Sequence, residues 1–393
     1  MPVNSVIRFS YLCIALLCCT CNKTGPPPGP RPSLPVQTDR NFYTVDLNNA
    51  NSPEGQILLA LNSKSKGVIF SLDRQGALMW EKSIGVTVEN LQKWVVNGKT
   101  LFTYFHSEGT IPLDDIPGTK LGYEYICDSA LNIIDSVKLK TSGLIDVSVQ
   151  DKLDVHEFIL LGEKHYIYET YYSLAPDNIP DSLHPAPGVK VAACVIQEVV
   201  DGKVVFQWNG ADFPELYASS REDNNFGDSS HTHDYMHLNS ICVDQLDNNL
   251  IVSFRNMDQI VKISRETGKI LWRLGGTQSD FAQNTDQLFF RQHYVRQMDN
   301  HSLIFLDNGL QGVREFSRVV ELQLNENSKL INSFRSFTIP DKWIQFAGSV
   351  QKAGENYFIG GGSGNYTLEV NYITGQKLLR LTQLYPSYRS LKY

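Results

Sequence analysis

Three histidines stand at one position of a recurring pattern. They are His156 in VHEFILLGEKHYIYET, His237 in HLNSICVDQLDNNLIVSFRN and His293 in HYVRQMDNHSLIFLDNG. Each leads an apolar strand, a polar turn follows, and a second strand begins about ten to thirteen residues on. Imidazole attacks as a nucleophile when neutral and moves protons near neutrality, so one ring could carry a covalent group while the others handle protons. Asn239 lies two residues beyond His237, which on an extended strand puts it on the same face. Arg255 ends the antiparallel partner strand and so returns to the end where His237 starts. Three imidazoles, a carboxamide and a guanidinium suit a tetrahedral oxyanion such as sulfate or phosphate. Arg255 and Asn239 would then stabilise the equatorial oxygens during transfer. A singly charged sulfuryl group needs no metal, and the chain has no Gly-rich phosphate loop for a nucleotide donor, so no cofactor is expected.

The elements that must position these residues come from an internal repeat. An apolar-x-apolar phrase, a turn and a second apolar pair recur as VIFSLDRQGALMW from Val68, YICDSALNIID from Tyr125, VIQEVVDGKVVFQW from Val195, VKISRETGKILW from Val261, VELQLNENSKLI from Val320 and LEVNYITGQKLL from Leu368. Each reads as a hairpin. Gly76 and Gly375, taken as equivalent points five intervals apart, give about 60 residues per repeat. A second hairpin precedes each copy, with QILLALNS, KTLFTYFH, HYIYETYY, NLIVSFRN, SLIFLDNG and NYFIGGGS as its later strands. Two hairpins make a four-stranded antiparallel blade, and radial repetition predicts an all-β, six-bladed β-propeller over residues 41–393. Long 3.6-residue periodicity is missing, which disfavours α/β folds, and a two-sheet sandwich would not explain the constant repeat. Innermost strands line a propeller axis, so three consecutive blades would aim His156, His237 and His293 at one point near the channel mouth.

Composition narrows the function classes. The chain has 393 residues, 42% hydrophobic and 20% charged, as an ordinary folded protein does. Its net charge of −7 provides no basic field for a nucleic acid backbone. Residues 1–19 read as a lipoprotein-type signal peptide: Arg8 precedes an uncharged run from Phe9 that is too short to span a bilayer permanently. Leu16 three residues before Cys19 resembles a bacterial lipoprotein box, which makes Cys19 the expected lipidated residue and Cys21 the second candidate. Residues 20–40 are a Pro-rich flexible linker, suited to a stalk between a lipid anchor and the domain. The expected location is therefore the bacterial cell envelope. NKTG after the cysteine has no acidic cluster, which leans toward the periplasmic side of the outer membrane. Cys127, Cys194 and Cys242 remain in the mature part, far apart and without zinc-ligand spacing, and read as buried small hydrophobes.

DYMHLNS (Asp234 to Ser240), LIVSFRNMDQIVKISRETGKILWRLGG (Leu250 to Gly276), RQH (Arg291 to His293) and FLDNG (Phe305 to Gly309) resemble the bacterial arylsulfotransferase family. The resemblance is strongest over 230–310 and colinear from about 145 onward. It implies a six-bladed envelope propeller that moves sulfate from a phenolic ester to another phenol without a nucleotide. It also implies that His293 is transiently sulfated, that His237, Asn239 and Arg255 bind the sulfuryl group, and that His156 is the earlier pocket histidine. The expected partners are an aryl sulfate donor, a phenolic acceptor, the membrane through the lipid anchor and, at most, a second copy of the chain in a homodimer. The chain is expected to have no room for the N-terminal β-sandwich of the longest relatives, which puts their dimer contacts in doubt for this chain. Tyr235 stands where a Trp is common, a difference expected to alter the acceptor pocket.

The implied mechanism is ping-pong: neutral His293 attacks sulfur, the phenolate leaves with a proton from His237 or His156, and an acceptor phenol reverses the path. Three other readings are weighed against it. A His-ligated metalloenzyme would use the three imidazoles, with His231 and His233 adding an HxH pair that otherwise reads as a polar loop at the channel mouth. A quinone-dependent dehydrogenase would need an acidic and Asn cluster for calcium that the sequence does not display. A non-catalytic envelope lipoprotein would bind a ligand or partner without turnover.

Overall fold

Blade four shows how the residues dictate the strands. Leu250–Phe254 (LIVSF) is buried at every position, as a near-continuous apolar run requires when both sheet faces are covered. Its neighbours Leu238–Val243 and Gln259–Ile263 flank it, and Ile270–Gly275 forms the outer edge. The turn joining the outer pair uses Gly268 at φ +71°, a left-handed conformation that glycine adopts without strain. In the computed structural model residues 42–393 are described, apart from 50, 64–65, 86, 108–117 and 300. The leader, Cys19 and the Pro-rich linker lie outside the described residues.

Six such sheets of mostly four antiparallel strands form a β-propeller. All six outer hairpins fall on the repeat read from the sequence. The innermost strands are Val88–Val96, Phe158–Gly162, Leu238–Val243, His293–Asp299, Ser349–Ala353 and Ser390–Lys392. Apolar side chains fill the seams between blades. Ile167, Val191, Leu238 and Leu250 meet between blades three and four, and Ile251, Trp272, Phe305 and Val320 between four and five. Outermost strands alternate instead, and Leu330–Thr338 is largely exposed.

One expectation needs correction. The first outer hairpin is not preceded by a complete hairpin of its own, because the C-terminal strand Ser390–Lys392 supplies the innermost position and pairs antiparallel with Ile57–Asn62. At the other end, Tyr43–Asn48 adds a fifth, outermost strand against Lys377–Gln383 in blade six. The first described strand and the C-terminal strand therefore latch the last blade to the first and close the ring. Cys127, Cys194 and Cys242 are free and buried, and burial pushes the Cys127 and Cys242 thiols up to about 11, consistent with inert packing residues.

Candidate functional site

The starts of the innermost strands converge on one cavity of ≈ 810 Å³. His156 precedes blade three's innermost strand, His237 precedes blade four's, and His293 is the first residue of blade five's. All three line the cavity, as does Arg255. The rings of His156 and His237 lie 4.8 Å apart and nearly perpendicular. Tyr388 stands between His156 and His293, with ring centroids at 5.7 and 5.3 Å. The recurrent histidine of the repeat thus marks one place in space.

Each imidazole is held at Nδ1, and what holds it differs. His293 Nδ1 donates to the Gly348 carbonyl at 2.7 Å. A carbonyl only accepts, so Nδ1 carries the proton and Nε2 keeps the lone pair. Burial drives the His293 pKa well below its usual value, and the charges of Arg389 and a protonated His156 act in the same direction. His237 Nδ1 instead donates to Asp234 Oδ2 at 2.5 Å, and His156 Nδ1 meets Asp154 Oδ1. A carboxylate accepting at Nδ1 fixes the tautomer and orients each ring, an arrangement that can serve proton transfer. Burial lowers the His156 pKa, while Asp154 opposes that shift.

Arg255 follows strand Leu250–Phe254, and its backbone N–H donates to the His237 carbonyl at 2.8 Å, which returns it to the expected end. Its Nη1 donates to Glu222 Oε2 at 3.0 Å and Asn256 Oδ1 at 2.6 Å. Glu222 also accepts from Arg291 Nε at 2.6 Å. Burial favours the neutral Glu222 acid, but the two guanidinium groups outweigh it and hold the pKa below the usual range.

Asn239 departs from the expected geometry. His237 sits at φ +51°, and the ladder slips between Leu238 and Ser240, leaving Asn239 in a bulge. The strict alternation that would place Asn239 on the His237 face is therefore broken. Its side chain is buried behind the cavity and donates from Nδ2 to the Gln292 carbonyl at 2.6 Å, one residue before His293. Gln292 is fixed in turn by Nε2 bonds to Ser253 Oγ and the Gln259 carbonyl, both at 2.9 Å. Tyr235 also lies away from the cavity. It is fully buried and stacks on Tyr217 at 4.7 Å, so the position that differs from the expected Trp does not line the cavity.

Several contributors escaped the sequence reading. Asp154 and Asp234, two and three residues before their histidines, were visible as D-x-H and D-x-x-H spacings. Tyr388 and Arg389 carry no such signal. Arg389 crosses the axis from the closing strand to pair with Glu157, at 2.9 Å from Nη1 and 3.1 Å from Nη2, and also donates to the His156 carbonyl at 2.6 Å. The three pocket imidazoles do not form a metal-ligand set. Among the described residues, the groups whose ligand atoms lie within 4.8 Å of one another are Asp223–His231–His233 and Asp154–His156–Glu169. Nor is His233 part of a merely polar loop, since it is buried in the short strand Thr232–His233, which pairs in parallel with Lys190–Val191.

A closed six-bladed propeller thus carries anchored imidazoles and a guanidinium around one cavity at the head of its axis. Residues 189–383 match the family described as Arylsulfotransferase (ASST), and the chain belongs to that family. No curated protein matches it. Solved structures similar to it include a protein of unknown function from Bacteroides caccae, at 10% identity and TM-score 0.47 over 86% of this chain and 99% of that one. The β-propeller domain of Cps50 (Swd1) from Myceliophteria thermophila matches at 9% identity and TM-score 0.46, over 89% and 88% of the two chains. A putative 6-phosphogluconolactonase from Bacteroides fragilis matches at 8% identity and TM-score 0.36, over 88% and 100%.

Proposed function

We propose that this arylsulfotransferase works by a ping-pong path through a sulfated His293. The observation that supports it is the contrast in Nδ1 anchors: a carbonyl behind His293, carboxylates behind His237 and His156. His293 Nε2 attacks sulfur as the sulfur–aryl oxygen bond breaks, and the departing phenolate takes a proton. Burial works against a charged His156, which favours His237, backed by Asp234, as the proton carrier. An acceptor phenol then returns its proton to His237 while its oxygen takes the sulfuryl group from nitrogen. Arg255 faces the developing charge on the sulfuryl oxygens, and Asn239 acts as a positioning residue through the Gln292 carbonyl.

The test is a transfer assay with 4-nitrophenyl sulfate. Without acceptor, nitrophenol is expected to appear in a burst of about one equivalent per chain, followed by phenol-dependent turnover. Absence of any release from folded protein across a panel of aryl sulfates would replace this reading with a ligand-binding one. The burst rate should also show where His293 titrates. The neutral ring reacts, and its folded-state pKa is depressed, so the rate is lost only as pH falls well below 6.5. An acid limb centred at or above pH 6.5 would contradict the anchored, buried nucleophile.

For location, we propose acylation at Cys19, which tethers the propeller to the envelope through residues 20–40. Changing Cys19 to Ser is expected to move the protein from the membrane to the soluble fraction; if only the Cys21 variant does so, the anchor is Cys21.

A further inference from the structure

His231 and His233 have no part in the sulfuryl chemistry, yet they meet at one carboxylate. Their rings lie 4.2 Å apart. His231 Nε2 is 2.8 Å and His233 Nδ1 is 3.0 Å from Asp223 Oδ1. His233 is fully buried and faces oxygen acceptors at both nitrogens, because its Nε2 lies 2.7 Å from the Asp228 carbonyl. A neutral imidazole has one N–H to give. If Nε2 donates to that carbonyl, the Nδ1 lone pair points at the lone pairs of Asp223. A cation between them removes the conflict. A backbone carbonyl fixing the far nitrogen is also the usual outer support of a metal-bound histidine.

We propose that Asp223, His231 and His233 bind one divalent transition-metal ion. Two imidazoles and a carboxylate suit zinc, with water completing the coordination. The ion's role would be structural. Asp223 Oδ2 accepts the Asp234 backbone N–H at 2.7 Å, and Asp234 in turn orients His237. Glu222, the preceding residue, holds Arg255 and Arg291. A bound ion would therefore pin the 222–234 segment beside the sulfuryl pocket without touching substrate.

The test uses full-length protein, purified without a polyhistidine tag and stripped with chelator, titrated with cobalt(II). The expected result is saturation at one ion per chain, with visible ligand-field absorption that zinc abolishes by displacement. His231 is 46% exposed in its side chain, so His231→Gln should keep the fold while weakening binding more than about 100-fold, beyond the range of outer-support losses. Asp223→Asn should do the same. No saturable binding, or affinity in both variants equal to that of the unaltered protein, would overturn the site. The readout is binding, so it is independent of the His293 chemistry.

Discussion

Replacing His293 with Ala is expected to lower turnover of aryl sulfates by roughly 10⁴-fold or more, the scale on which loss of a covalent nucleophile is felt. The acceptor-free burst should vanish together with steady-state turnover, because both begin with the same nitrogen–sulfur bond. Truncating His293 removes its Nδ1 bond to the Gly348 carbonyl, at a cost of about 1–3 kcal/mol for the orphaned acceptor. The variant should therefore fold, and urea unfolding of the same preparation checks that it does. A variant that retains its burst would exclude His293 as the sulfated group. Loss of turnover with an intact burst would place the defect in the return step instead.

The second large effect is expected at Arg389. This guanidinium is buried against Glu157 and also donates to the carbonyls of His156 and Asn239. Arg296 holds Glu157 from the other side at 2.7 Å, so truncating Arg389 leaves the carboxylate with one guanidinium partner instead of two, beside the Ile241 backbone N–H. Breaking a buried pair on one side typically costs about 3–5 kcal/mol, and Arg389→Met should lower unfolding stability in urea by about that much. The same charge helps keep His293 neutral, so its removal raises the His293 pKa. The acid limb of the burst rate should accordingly move up toward pH 6.5. An unchanged urea midpoint would show that the pair contributes nothing net. An unmoved acid limb would show that the Arg389 charge is not felt at His293.

The blades were legible because each outer hairpin repeats an apolar pair, a turn residue and a second apolar pair. The register of VKISRETGKILW, for example, maps directly onto Gln259–Ile263 and Ile270–Gly275. The histidines were legible for the same reason, since equivalent places in a radial repeat face one axis. Side-chain direction was not. At Asn239 the left-handed His237 and the adjacent bulge turn a predicted pocket residue into a support behind it. Alternation arguments assume an unbroken pleat, and strand starts beside sites are where bulges break it. Tyr388 and Arg389 were hidden because the closing strand is only three residues long and follows PSYR, which looks nothing like the repeat.

The closing strand also dictates when the pocket comes into being. Arg389 reaches a carbonyl 233 residues earlier in the chain, and Ser390–Lys392 pairs with the first blade. Contacts of such sequence separation pay their loop-closure entropy late and fold slowly. Blades three to five can pack locally as soon as they are made, but Tyr388 enters between His156 and His293 only when the ring shuts. The complete pocket thus depends on ring closure, and a chain without its closing strand would hold its histidines with neither Tyr388 nor Arg389 beside them.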